Sequence, residues 1–187
     1  MRDDDADLAA RASRGDRRAL ETLLDRHADR VHALCRRVIA HREDALDATQ
    51  EAMIAIARGI SSFDGRSAFT TWMYRVVTNA ALDELRRKQR LPDPVDVTAV
   101  DRATPGPALD TAASERLDVD AALSTLPTDF RVAVVLRDLL DLDYAQIAEV
   151  LDIPAGTVRS RIARGRALLA TVLGNPDTPS ERLSTDG

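Results

Sequence analysis

The sequence predicts an all-α protein: two small helical domains joined by a flexible, acidic, proline-rich linker, with a helix-turn-helix in the second domain. Three observations carry this. Apolar residues recur at three- and four-residue spacing through both halves of the chain, and β-strand alternation is absent. Four of the eight prolines, Pro92, Pro94, Pro105 and Pro107, crowd with Gly106 into one stretch nearly devoid of large apolar side chains. Near the C-terminus a short helical pattern, a tight turn and a basic helix follow in succession.

The first domain is expected over residues 1–91. Asp16 is placed to cap a helix whose Leu20, Leu23, Leu24, Val31, Leu34, Val38 and Ile39 form a buried stripe, bordered by His27 and Cys35. A second helix is expected from about Glu43 to Ile60. A third runs from about Ser67 to Lys88, after the turn Ser61-Ser62-Phe63-Asp64-Gly65. Arg75, Asn79, Asp83, Arg86 and Arg90 make a polar stripe on that third helix, and Phe69, Trp72, Val76, Leu82 and Leu85 occupy its other sides. Four of the six aromatic residues lie between 63 and 74. Rings beside an amide and arginines suit unstacked bases, which are held by stacking and by side-chain contacts to their edges. Trp72, beside Phe69 and Val76, is expected in the core rather than on a stacking surface.

The linker is expected over 92–113, the second domain over 114–173 and a disordered tail over 174–187. Pro127 suits the first turn of a helix carrying Val132, Val134, Val135, Leu136, Leu139 and Leu140. Asp143 and Gln146, at capping-box spacing, open a short helix to about Leu151, and Asp152-Ile153-Pro154 breaks it. Over the last helix, from about Ala155 to Val172, 100° per residue puts Val158, Ile162, Gly165, Leu169 and Val172 on one side, packed against Ile147 and Ala148. Arg159, Ser160, Ala163 and Arg164 fall opposite, where small residues allow close approach and arginines can read base edges in a major groove. Arg161 and Arg166 lie on the flanks, where phosphate contacts are expected.

Charge locates the same segment. The chain carries a net charge of −5, against indiscriminate coating of nucleic acid, yet no acid occurs from Ile153 to Leu173, which holds Arg159, Arg161, Arg164 and Arg166. A single cysteine, Cys35, excludes an internal disulfide and a cysteine metal cage. His27, His32 and His41 are too scattered for a metal site, and glycine-rich phosphate loops and nucleophile motifs are absent, so neither enzyme activity nor a cofactor is expected. The acidic start, Met1-Arg2-Asp3-Asp4-Asp5, and the lack of any apolar run near 20 residues predict a cytoplasmic protein without membrane insertion.

The segments DALDATQEAMIAIAR, SSFDGRSAFTTWMYRVVTNAALDELRRKQR and LPTDFRVAVVLRDLLDLDYAQIAEVLDIPAGTVRSRIARGRALL, spanning about 20–90 and 117–173, resemble bacterial sigma factors of the extracytoplasmic-function group. Abundant Ala and Arg, with Lys88 as the one lysine, make actinobacterial members the nearest in appearance. The resemblance implies a dissociable promoter-recognition subunit of RNA polymerase, monomeric when free and without a catalytic site. Its core-binding residues would be Asp44, Asp47, Gln50 and Glu51, facing the polymerase clamp helices, while the flap of the large subunits is a second contact. Leu46 and Ala48 depart from the family pattern within that helix. The minus-ten element would be captured by Phe63, Arg75, Asn79, Asp83, Arg86 and Arg87, and the minus-thirty-five element by the last helix. The linker would thread toward the polymerase active centre, and an anti-sigma factor is a possible further partner. The competing expectation is a stand-alone helix-turn-helix regulator binding operators as a dimer, which leaves the first domain and the linker without a role.

Overall fold

The computed structural model describes residues 2–90 and 119–174, and every regular element among them is helical. Expectations for the linker and for 175–187 lie outside the described residues.

The chain opens with a helix the sequence reading did not anticipate, α1 (Arg2–Ser13). It is polar on most sides but buries Leu8, Ala9 and Ala12. Its end is tied to the start of α2 (Arg17–Val38) through Asp16. The Asp16 carboxylate accepts from the Ala19 N–H at 3.1 Å and from Arg11 Nη2 at 2.7 Å. The Arg11 hydrogen bond, followed by the Ala19 amide, holds the Asp16 carboxyl below its ordinary range.

Helices α2, α3 (Arg42–Gly59) and α4 (Phe69–Arg90) enclose the first core. Leu23, Val31, Leu34 and Val38 of α2 meet Phe69, Met73 and Val77 of α4, while α3 contributes Ala45, Ala48, Ala52 and Ile56. Three alanines at spacings of three and four give α3 a thin buried side, so its backbone lies close to its neighbours and its longer polar side chains face out. Helices α3 and α4 are joined through a short 3₁₀ turn, Ile60–Ser62.

The second domain starts with α5 (119–124), also unanticipated. In α6 (Thr128–Val134), Pro127 is the N-cap rather than the first helical residue, a one-position shift. The last turn of α6 widens to π geometry over Val135–Leu139, with the Leu140 N–H bonded to the Val135 carbonyl at 3.2 Å. The capping box predicted for α7 (Tyr144–Leu151) is formed in both directions, with Gln146 N–H to Asp143 at 2.8 Å and Asp143 N–H to Gln146 at 2.9 Å. Asp152 then takes the left-handed conformation at φ 52°, a position where Asp is better tolerated than most residues, and α8 (Ala155–Val172) follows. Val158, Ile162 and Gly165 are buried as expected, and Leu169 packs at the edge. Val172, expected on the buried side, is 51% exposed because α8 there extends past the elements it packs on.

The two domains touch. Helix α7 lies along α4, and α6 meets the end of α2. The buried Arg131 of α6 donates from Nη1 to the Val38 carbonyl at 2.7 Å, and from Nη2 to the carbonyls of Ser124 and Leu126 at 2.6 and 2.9 Å. Burial lowers the pKa of this guanidinium, and three carbonyl acceptors compensate the buried charge.

Candidate nucleic-acid interface

The outward side of α8 is built as the angular argument required. Arg159, Ser160, Ala163 and Arg164 are all exposed, and neither arginine has a carboxylate partner among the described residues. Ser160 donates its hydroxyl to the Thr157 carbonyl at 2.9 Å, which leaves the oxygen free to accept. Two guanidiniums lie over the ring of Tyr144, the first residue of α7, with Arg137 at 5.4 Å and Arg159 at 6.0 Å from the centroid. This cation–π contact steers Arg159 along the helix-turn-helix surface.

The flanking arginines behave differently. Arg161 Nη2 donates to Asp129 Oδ2 at 2.6 Å, and Arg166 is bidentate to Asp138, with Nε to Oδ2 at 3.0 Å and Nη2 to Oδ1. Both are held by aspartates of the same domain.

In the first domain, the residues expected to hold polymerase and those expected to hold the minus-ten element come together. Asp47, Gln50 and Glu51 of α3 and Asn79, Asp83 and Arg87 of α4 line opposite walls of one groove of about 780 Å³. Asp83, Arg86, Arg87 and Arg90 line a smaller hollow of about 330 Å³ along α4. Asp44 sits apart from the groove, paired with Lys88 Nζ at 2.8 Å and lying 3.4 Å from His41 Nδ1. Arg86 is paired with Asp83 at 2.9 Å.

Glu84 was missed from sequence. It is buried, and its two oxygens accept from Arg87 Nε and Nη2 at 2.8 and 2.7 Å, which fixes Arg87 in the groove. The Glu84 hydrogen bond is the main reason the Arg87 pKa is raised. The three-residue spacing from Glu84 to Arg87 was the available signal.

Phe63 is half-buried in an aromatic cluster, edge-on to Phe69 at 5.9 Å and to Trp72 at 5.7 Å. Trp72 packs against the core over Gly59, where an added Cβ would lie 3.3 Å from its ring. Arg75, at the rim of the polar stripe, is engaged by the second domain. Its Nε and Nη2 donate to the Glu149 carbonyl and carboxylate, both at 3.2 Å. Among the described residues no group of three His, Cys, Asp or Glu could hold a metal ion, and no helix is long and apolar enough to cross a membrane.

Comparison with known proteins follows this division. Residues 23–91 match the Sigma-70 region 2 family and residues 116–169 the Sigma-70, region 4 family. The chain is 37% identical over 177 residues to the ECF RNA polymerase sigma-E factor of Haemophilus influenzae, covering 88% of this chain and 93% of that protein. It is 39% identical over 174 residues to the ECF RNA polymerase sigma factor SigM of Mycobacterium tuberculosis, covering 93% and 87%. Relatives thus come from both actinobacterial and other genera. The solved structure of CnrH in complex with the cytosolic domain of CnrY superposes with a TM-score of 0.71 at 27% identity, covering 91% of this chain and 97% of that one. The sigma factor RpoE of Bartonella quintana, solved with the anti-sigma factor NepR, shares the fold with a TM-score of 0.66 at 21% identity, covering 83% and 97%. With a region 2 helix set, a region 4 helix-turn-helix and both matches in order along one chain, the protein belongs to the extracytoplasmic-function group of sigma factors, which bind core RNA polymerase and promoter DNA to initiate transcription.

Proposed function

We propose that the two walls of the α3–α4 groove divide the work of the first domain. Asp47, Gln50 and Glu51 hold core polymerase while Asn79, Asp83 and Arg87, with Arg75, Arg86 and Phe63 at its margins, hold the minus-ten element. The observation that carries this is the shared groove, in which the acidic and amide side chains of α3 face a mixed wall on α4, where Asn79 and Arg87 stand beside Asp83 and Glu84. Bases lodged there would be gripped at the joint between sigma factor and polymerase, so DNA capture and core binding reinforce each other. Asp44, already bound to Lys88, supports the α3 wall and contributes less to the contact.

The second domain, over 114–173, reads the minus-thirty-five element through Arg159, Ser160, Ala163 and Arg164. The first domain spans 1–91 and the linker 92–113. The protein works in the cytoplasm and carries no catalysis of its own. Structural neighbours solved with CnrY and with NepR favour an anti-sigma factor as a further partner.

The test pairs two variants. Asp47→Ala with Gln50→Ala should weaken binding to labelled core polymerase with helicity intact, because exposed polar side chains contribute little to folding. Asn79→Ala should lower permanganate reactivity and transcript yield on duplex promoters. Loss on duplex templates only assigns Asn79 to melting, and equal loss on templates mismatched across the minus-ten region assigns it to base reading. Unchanged core affinity in the first variant, or no effect of the second on either template, removes the respective wall from the reading.

A further inference from the structure

We propose that Asp129 and Asp138 are positioning residues for promoter recognition: through Arg161 and Arg166 they set the rotation of α8 and so aim Arg159 and Arg164 at the minus-thirty-five bases. This rests on α8 being the recognition helix. It reassigns Arg161 and Arg166 from phosphate contacts to the support of that helix.

The geometry is three-point. At 100° per residue, Arg161 and Arg166 flank the buried Val158–Ile162–Gly165 stripe on opposite edges, each about 70° from its centre. Each meets an aspartate from a different end of α6, Asp129 in its first turn and Asp138 in the π turn that closes it. Between them Gly165 brings α8 against α6, for a Cβ there would stand 2.6 Å from Val134 Cγ2 and 3.3 Å from the Phe130 carbonyl. The glycine fixes the closest approach and the two ion pairs fix the roll.

The roll matters to specificity. A side-chain tip roughly 6 Å from the helix axis moves about 2 Å when the helix turns by about 20°. Productive recognition geometry tolerates a displacement of about 0.5 Å. A packed stripe alone leaves a helix some freedom to roll, and opposed pairs on its two edges remove it. A phosphate approaching Arg161 or Arg166 must first displace a carboxylate already at hydrogen-bond distance, and that carboxylate repels it.

The test uses the holoenzyme, with a randomised minus-thirty-five library in competition at several salt concentrations. If the pairs position α8, Asp138→Asn and Arg166→Ala should change the base-preference matrix alike. Discrimination at positions read by Arg159 or Arg164 should drop roughly threefold to tenfold, with little added by combining the two variants. Asp129→Asn and Arg161→Ala should form a second matched set. The swapped pair Asp138→Arg with Arg166→Asp should restore the matrix, which also guards against a single variant that folds poorly.

If Arg166 instead neutralises phosphate, Asp138→Asn should tighten binding evenly across sequences and steepen its salt dependence, while Arg166→Ala weakens it evenly. That pattern overturns the proposal, as does an unchanged matrix in all four variants. Failure of the underlying assignment is separable. If Arg159→Ala and Arg164→Ala also leave the matrix untouched, α8 does not read the element at all.

Discussion

Two contacts of the second domain have opposite character. Inside the domain, α8 meets α6 through a glycine at backbone distance, buried Val158 and Ile162, and two ion pairs. Between domains, α7 meets α4 through Arg75 and Glu149, whose side chains are 44% and 39% exposed. A contact made through exposed charges resembles a transient interface rather than a core.

Promoter geometry requires the difference. The minus-thirty-five and minus-ten elements are about 25 positions apart, or about 85 Å at 3.4 Å per position. A docked pair of domains totalling about 145 residues is roughly 40 Å across. Recognising both elements therefore means parting α4 from α7, which also releases Arg75 from Glu149. The 28 residues between Arg90 and Val119 can span about 95 Å at most, enough for the separation. The α6–α8 contact must survive while the α4–α7 contact opens.

Arg131 serves both domains. Arg131→Ala removes donors to Val38, Ser124 and Leu126, and charged hydrogen bonds of this kind are worth about 1.5–3 kcal/mol each. Because Val38 gains water when the domains part, the net cost should be about 3 kcal/mol and fall mainly on the second domain. Urea unfolding followed by probes in each domain measures it. Equal loss in both domains would show that they unfold as one unit.

Gly165→Ala attacks the tight contact alone. The added Cβ collides with a stiff valine and a backbone carbonyl, so overpacking of about 1–3 kcal/mol should outweigh the gain in helix propensity of up to about 1 kcal/mol. The melting temperature of the second domain should fall and minus-thirty-five discrimination with it. An unchanged melting temperature would mean that α8 can slide on α6.

Much of this was legible in the sequence because it is local. The Asp143–Gln146 box, the left-handed Asp152 and the two sides of α8 all follow from spacings within one helix or turn. What was missed has identifiable causes. Helix α1 offers only Leu8, Ala9 and Ala12 to the core, too little apolar content to stand out in a charged segment. The partners of Arg161 and Arg166 lie 32 and 28 residues away, and that of Arg75 lies 74 away. No periodicity reports such pairs. The shared groove was likewise hidden, because α3 and α4 were read as separate surfaces.

The first domain offers an acid-sensitive contact for comparison. His27 is buried against Phe69 at 5.5 Å, with Nε2 3.0 Å from Asp5 of α1, and Arg26 and Arg30 act on it from α2. Burial lowers its pKa, opposed in part by Asp5 and reinforced by the arginines. The folded state thus favours neutral His27. This stability is present above the ordinary His pKa of about 6.5 and is lost as pH falls through the depressed folded value. The first domain should therefore lose more stability than the second between pH 7.5 and 5. His27→Gln should flatten that difference in urea titrations, and an unaltered pH profile would assign it to other groups.

The smallest energetic effect tests the releasable contact most directly. Glu149→Ala removes an exposed partner of Arg75, so global stability should change by less than about 1 kcal/mol. The balance between docked and parted domains should nevertheless move, because this pair bridges α4 and α7 directly. Labels on Arg18→Cys and Ala167→Cys, both exposed positions of α2 and α8, report the separation. Cys35 should stay unlabelled, since it is buried and burial pushes its thiol up to about 11. The Glu149→Ala chain should show longer distances when free, and the unsubstituted chain should show the same lengthening on adding core polymerase. Distances unchanged by the substitution but lengthened by polymerase would locate the hold at the end of α2, where Arg131 bonds Val38 and Arg36 and Arg37 meet Asp120. The α4–α7 contact would then follow the end of α2 rather than govern it.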